Sequence, residues 1–134
     1  MAELEVALVA ADREVWSGQA SLVIAKTADG DVGVMPGHQP IMSVLQPSVA
    51  TIRTVVDGAP GDTLKVALHG GFIAVDENRV SLLSEAAELA DEIDVARAEE
   101  ALTRARAGEF DRDSEAAALR AEVRLRAAGR TVQQ

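Results

Sequence analysis

The sequence predicts an all-β sandwich or flattened barrel followed by an α-helical hairpin, and three observations carry that prediction. Up to about Ser84, apolar residues alternate with polar ones or gather in short β-branched runs separated by turn residues. From about Glu85 the composition shifts to Ala, Glu, Arg and Leu, all good helix formers, with no Gly or Pro before Gly108. A second segment of the same kind runs on to Gly129, and the connection between the two is too short for anything but antiparallel neighbours.

Taken in order, "LEVALVAAD" alternates, with Leu4, Val6 and Leu8 on one face and Glu3, Glu5 and Ala7 on the other. "ASLVIAKT", "SVATIRTVV", "TLKVALHG" and "FIAVDENRVSLLS" follow as further strands, separated by Asp29-Gly30, Asp57-Gly58, Pro60-Gly61 and Glu77-Asn78 as turns. Strands of this kind without intervening helices suit an antiparallel sandwich. The stretch "GDVGVMPGHQPIMSVLQP", Gly30 to Pro47, holds three of the four prolines and reads as one conformationally restricted loop.

Asp91 or Asp94 can cap the first helix and Gly108 can end it; "EFDRDS" turns the chain, Asp113 or Ser114 caps the second helix, and Gly129 closes it. Residues 1–86 are expected to form the sandwich and residues 87–134 the helical domain. Ile93, Val95, Ala98, Leu102 and Ala105 form the apolar stripe of the first helix; Ala116, Leu119, Val123 and Ala127 form that of the second. Alanine buries little, at about 0.8 kcal/mol per CH₂. Such a seam permits the hairpin to leave the surface it docks on, and a permanently docked cap is the other reading.

Composition removes whole classes of function. A formal charge of −9 repels phosphate backbones and anionic lipid, and three aromatic residues (Trp16, Phe72, Phe110) leave little to stack on bases, so nucleic acid is not an expected partner. Without cysteine there is no disulfide, thiolate nucleophile or thiolate metal site. No apolar run approaches the roughly 20 residues that span a bilayer, and "MAELEV" has no signal-peptide pattern, so a cytoplasmic chain without membrane insertion is expected.

Chemistry is sparse as well. Lys26 and Lys65 are the only lysines and neither follows a phosphate-cradling glycine loop; no G-x-S-x-G or H-E-x-x-H occurs. No D-x-D-x-D-G calcium loop is present either. His38 and His69 are isolated and read as loop or surface residues, so no catalytic residue, metal or required cofactor is assigned. The sharper pattern lies in the tail. Asp94 and Arg97 stand three apart, Arg97 and Arg104 seven apart, and Arg126 and Arg130 four apart, each set on one helix face. Folded together, these arginines can surround a polyphosphate, because guanidinium is permanently charged and donates in a planar fork. Glu88 or Asp94 is then available to a base or ribose. Intrahelical ion pairing, about 0.3–0.5 kcal/mol per pair, explains the same spacing.

"GDVGVMPGHQP" resembles the G-E-x-G-I-x-P-x-H-x-P signature of the epsilon subunit of F-type ATP synthases, called delta in mitochondria. "HGGFIAV" resembles that family's S-G-G-F-x-x-V, with His69 in place of Ser; "VWSGQ" is similar to its W/Y-x-G turn, and "IDVARA" to the [IL]-D-x-x-R-A motif of bacterial members. The resemblance implies about ten strands and a two-helix domain, in a rotor subunit that joins gamma to the c-ring on the cytoplasmic face of the membrane, as a peripheral component. Asp31 and His38 would sit at the c-ring/gamma interface, His38 alternatively bracing its own turn. The hairpin would lie folded, or extend into the alpha/beta catalytic head and obstruct ATP hydrolysis. ATP, with or without Mg, would act as a regulatory ligand at Glu88, Asp94, Arg97, Arg104, Arg126 and Arg130, with Arg120 and Arg124 as substitutes for the last two. A free-standing cytosolic nucleotide sensor of the same fold is the alternative.

Overall fold

In the computed structural model, which describes residues 3–108, 112–130 and 132, nine strands precede two helices. The strands are β1 Leu4–Ala10, β2 Glu14–Thr27, β3 Gly30–Val34, β4 Ile41–Leu45, β5 Ser48–Val56, β6 Ala59–Leu68, β7 Gly71–Asp76, β8 Arg79–Ser84 and β9 Ala87–Leu89. A 3-10 turn at Ala90–Glu92 leads into α1, Val95–Ala107, and α2, Arg112–Ala127. Nine strands stand against the ten or so expected. The 14-residue β2 runs unbroken beside β1 in its first half and β3 in its second.

One layer runs β9–β6–β5–β2–β3 and the other β1–β8–β7–β4. They meet at two seams: β1 pairs antiparallel with β2 while pairing parallel with β8, and Thr27 of β2 reaches Leu45 of β4. The result is a flattened barrel. Its interior is aliphatic, led by Leu4, Leu8, Ile52, Leu68, Ile73 and Leu82, all withdrawn from solvent. The alternation read in "LEVALVA" is realised, with Leu4, Val6, Leu8 and Ala10 buried.

Two turns follow their local chemistry. Asp57-Gly58 joins β5 to β6 and Glu77-Asn78 joins β7 to β8, each with both residues at positive φ, as the two-residue turns matching strand twist require. Pro60-Gly61 is not a turn. It lies inside β6, where β9 pairs only with Val66–Leu68 and leaves the earlier residues on an open edge that tolerates proline. "VWSGQ" is likewise strand rather than turn, with the Trp16 indole lying over Gly18.

The proline-rich stretch is not one loop either: β3 and β4 occupy its two ends. Between them Met35-Pro36-Gly37-His38 forms a turn closed by His38 N–H donating to the Met35 carbonyl at 3.1 Å. Proline at its second position and glycine at φ 90° at its third are the type II arrangement. Asn78 Oδ1 accepts from Gly37 N–H at 2.7 Å, tying this turn to the β7–β8 turn.

The sheet does not stop at residue 86, where the domain boundary was expected. "AEL" at 87–89 has helix-forming composition, but pairing with β6 holds it as β9. Asp94 caps α1, its Oδ1 accepting from Arg97 N–H at 3.1 Å. Because α2 begins at Arg112, neither Asp113 nor Ser114 caps it, and the expected turn at 109–111 falls outside the described residues. At the other end Arg130 N–H donates to the Leu125 carbonyl and Gly129 N–H to that of Arg126, closing α2 in a Schellman motif.

Helix α2 is docked on two sides. Ala121 and Leu125 pack with Ala98 and Leu102 of α1, while Val123 and Ala127 pack with Ala67 of β6, Val49 of β5 and Ile93. This rotation corrects the predicted stripe. Val123 and Ala127 are buried as expected, but Ala116 and Leu119 face solvent, Leu119 being 39% exposed.

Candidate functional site

A cleft of about 490 Å³ lies where the sandwich hands over to the hairpin, lined by Glu88, Glu92, Asp94, Arg97, Arg104 and Arg124 together with Ala98 and Ala101. The strand pairing of β9 brings in Glu88; the cap at Asp94 starts α1 there; and one helix face carries Arg97 and Arg104 to the same opening. The hairpin fold adds Arg124 from α2. Of the six nucleotide candidates, the structure therefore gathers Glu88, Asp94, Arg97 and Arg104. Arg126 and Arg130 do not join them. Arg126 lines a different cleft and Arg130 lies exposed beyond the end of α2. Arg124, two residues earlier, faces the site instead, because the burial of Val123 and Leu125 on their two sides fixes which way α2 is rotated.

Charges in this cleft are balanced in the absence of a ligand. Arg124 Nε donates to Glu88 Oε1 at 2.5 Å, spanning hairpin and sandwich. Glu92 is held by Arg13 at 2.9 Å, and Arg104 stands 3.6 Å from Glu100 on its own helix. Among the described residues no carboxylate lies in ion-pair range of Arg97. One guanidinium is thus unengaged and two others are held by displaceable partners. A polyphosphate would recruit all three, competing with Glu88 for Arg124. Asp94 has one oxygen committed to the helix cap, leaving the other for a ligand.

His69 lies beside this cleft, in the link between β6 and β7. Its side chain is only 5% exposed, and Nε2 stands 3.5 Å from Glu88 Oε1. Neither ring nitrogen makes a hydrogen bond within the described residues. Burial lowers its pKa from the usual histidine value, Arg124 lowers it further, and Glu88 acts in the opposite sense. His69 was expected as a loop or surface residue; it does lie in a link, but its side chain is buried, and nothing in "HGGF" signals that α2 covers it.

The interface candidates part company. Asp31 sits on β3 opposite Lys26 and lines the cleft of about 470 Å³ that also holds Lys65 and Arg126. His38 lines neither of these two clefts. Its Nδ1 lies 2.6 Å from the Gln39 carbonyl, so its visible role is the bracing of its own turn. A feature the sequence did not reveal is an apolar row across the outer face of the second layer. Val44, Phe72 and Leu83 stand in register on β4, β7 and β8, at 49%, 49% and 45% exposure, and the row ends on Val9 of β1. Met42, on β4, is 76% exposed. Among the described residues there is no cluster of potential metal ligands and no helix long and apolar enough to cross a membrane.

Residues 3–90 match the family model described as "ATP synthase, Delta/Epsilon chain, beta-sandwich domain". The chain belongs to that family. The matched span ends one residue beyond β9, which agrees with the observed limit of the sheet. The "ATP synthase epsilon chain" of Streptomyces coelicolor is 58% identical over 95% of this chain and 96% of the relative. That of Rhodococcus jostii is 44% identical over 97% and 99%. Among solved structures, a chain of the Euglena gracilis mitochondrial ATP synthase, OSCP/F1/c-ring, superposes with a TM-score of 0.68 at 25% identity, covering 93% of this chain and 76% of that one. A chain from the Tetrahymena thermophila mitochondrial ATP synthase central stalk and c-ring shares the fold, with a TM-score of 0.55 at 20% identity. Membership makes the chain a non-catalytic subunit of ATP synthase.

Proposed function

We propose that this subunit is a rotor element that joins the gamma shaft to the c-ring at the cytoplasmic face of the membrane, and that its hairpin regulates ATP hydrolysis. The observation that carries the first part is the apolar row Val44–Phe72–Leu83. Four strands hold it in register, on a chain with a formal net charge of −9, and a contiguous exposed apolar patch marks a protein interface. The shaft subunit is the occupant. The β3–β4 turn, stiffened by Pro36 and tied to Asn78, serves the ring contact together with Asp31 on β3. A stiff turn loses less torque to bending than a loose loop.

The test is co-purification. The parent chain elutes with gamma and the alpha/beta head, whereas Phe72→Asp loses gamma without unfolding, because the side chain is half exposed. Unchanged assembly of Phe72→Asp removes this face from the interface. A parent chain that elutes alone favours the free-standing nucleotide sensor.

The cleft between β9 and α1 supports ATP as a regulatory ligand of the folded hairpin. Three arginines converge there from both helices, one unengaged and two displaceable. A ligand that binds only the folded form shifts the hairpin by its differential affinity, and undocking frees the helices to reach the catalytic head. Calorimetric titration of the isolated chain with MgATP tests it. Arg97→Ala should weaken binding more than tenfold, and equal affinity excludes Arg97 from the site.

A further inference from the structure

The link at His69 brings a buried imidazole without a hydrogen-bond partner against the Glu88–Arg124 ion pair that joins β9 to α2, and we propose that His69 is a proton-sensitive latch that releases the hairpin when the medium acidifies. The inference rests on the proposed mobility of the hairpin, not on nucleotide binding.

Three charged groups face the ring: Glu88 from β9, and Arg124 and Arg120 from α2. From β6, β7 and the link itself come only neutral groups. His69 N–H donates to the Ala86 carbonyl, and Ser84 Oγ lies 2.7 Å from the carbonyls of both Gly70 and Ala86, so these bonds hold the link in place. With the hairpin docked, a proton on the ring is opposed by the charges of Arg124 and Arg120 in a site withdrawn from water. Its only compensation is Glu88, whose Oε1 already accepts from Arg124. Protonated His69 and Arg124 therefore compete for one carboxylate oxygen, and any share taken by the imidazolium weakens the pair that ties α2 to the sheet. With the hairpin away, both arginines leave with it and the ring regains water, so the proton is accepted at the ordinary histidine value of about 6.5.

The sign follows from linkage. The docked state holds His69 at a depressed pKa, in the direction that burial and Arg124 both dictate. Its contribution to docking is complete above about pH 6.5, and is lost as pH falls from there through the docked-state pKa. Over that window the docking constant drops by up to about tenfold per pH unit. Lys26, Asp31 and Arg126 lie at the other cleft and do not enter. Serine, the residue that the resembled motif carries at this position, has no proton to take up.

The chain lacks cysteine, so Met42→Cys with Leu119→Cys places a donor and an acceptor dye on exposed sites of the sandwich and of α2. Energy transfer in the isolated chain is followed from pH 8 to pH 5, alongside the His69 ring resonances by NMR. The expected result is loss of transfer below pH 6.5 that tracks His69 titration, and its absence in His69→Ser, which keeps high transfer throughout. Circular dichroism at each pH separates undocking from unfolding of the sandwich. The proposal is overturned if His69→Ser shows the same pH response as the parent. It is equally overturned if His69 titrates without a change in transfer, or stays neutral down to acid unfolding. Low transfer at every pH in both chains refutes the docked state itself, whatever His69 does.

Discussion

Replacing Val123 with alanine should undock the hairpin without harming the sandwich. Val123 is 1% exposed and touches Ala67, Ala127 and Ile93, a contact set with little apolar surface to spare. Removing two methyl groups costs about 1.6 kcal/mol at 0.8 kcal/mol per carbon. Its neighbours are mainly alanines on rigid backbone and collapse poorly into the gap, so the loss falls at the upper end of the transfer value. At 1.4 kcal/mol per decade, the docking constant drops about 15-fold. Trypsin reads this directly. Arginines within a folded helix are cut after local opening, so with reclosing fast the cleavage rate in the hairpin rises in the same proportion. Leu119→Ala is the control: the side chain faces solvent and its loss should change the rate by less than about twofold. Equal acceleration by both substitutions, or a fall in the melting temperature of the sandwich that accounts for Val123→Ala, would refute the seam described above.

Two further substitutions test the sandwich. Gly71 has φ 120° and an added Cβ would run into the Leu83 carbonyl across the β7–β8 pairing. Gly71→Ala should therefore cost more than about 2 kcal/mol and lower the melting temperature by several degrees in calorimetry. Asn78→Ala removes the acceptor of Gly37 N–H and places alanine at φ 64°, so a loss of about 1–2 kcal/mol is expected in urea unfolding, with faster amide exchange at Gly37.

Local patterns carried the fold where one face alone is buried. "LEVALVA" alternates because only one of its faces packs on the core, and Asp57-Gly58 and Glu77-Asn78 are turns through their own chemistry. Pairing over distance was not legible. "AEL" is helical by composition and becomes β9 because the end of β6 lacks a second partner, and Pro60 passes as a turn signal until β6 is seen to have an open edge. The site divides in the same way. Arg97 and Arg104 follow from spacing on one helix, whereas the choice of Arg124 over Arg126 depends on the rotation of α2. Two separate surfaces set that rotation, and no periodicity in α2 announces them. The burial of His69 and the exposure of Phe72 depend on which elements cover them, a property of the assembled layers rather than of either motif.

The parallel pairing of β1 with β8 dictates an order of events during synthesis. Six residues of β1, Glu5 to Ala10, wait for a partner more than seventy positions later, and the barrel closes only after Ser84 has emerged. Contacts so distant in sequence make folding slow. The helices are translated after the strands and meet a finished surface. A released fragment ending at Asp76 should thus expose an unzipped edge along β1 to chaperones, while one ending at Leu89 should already be compact.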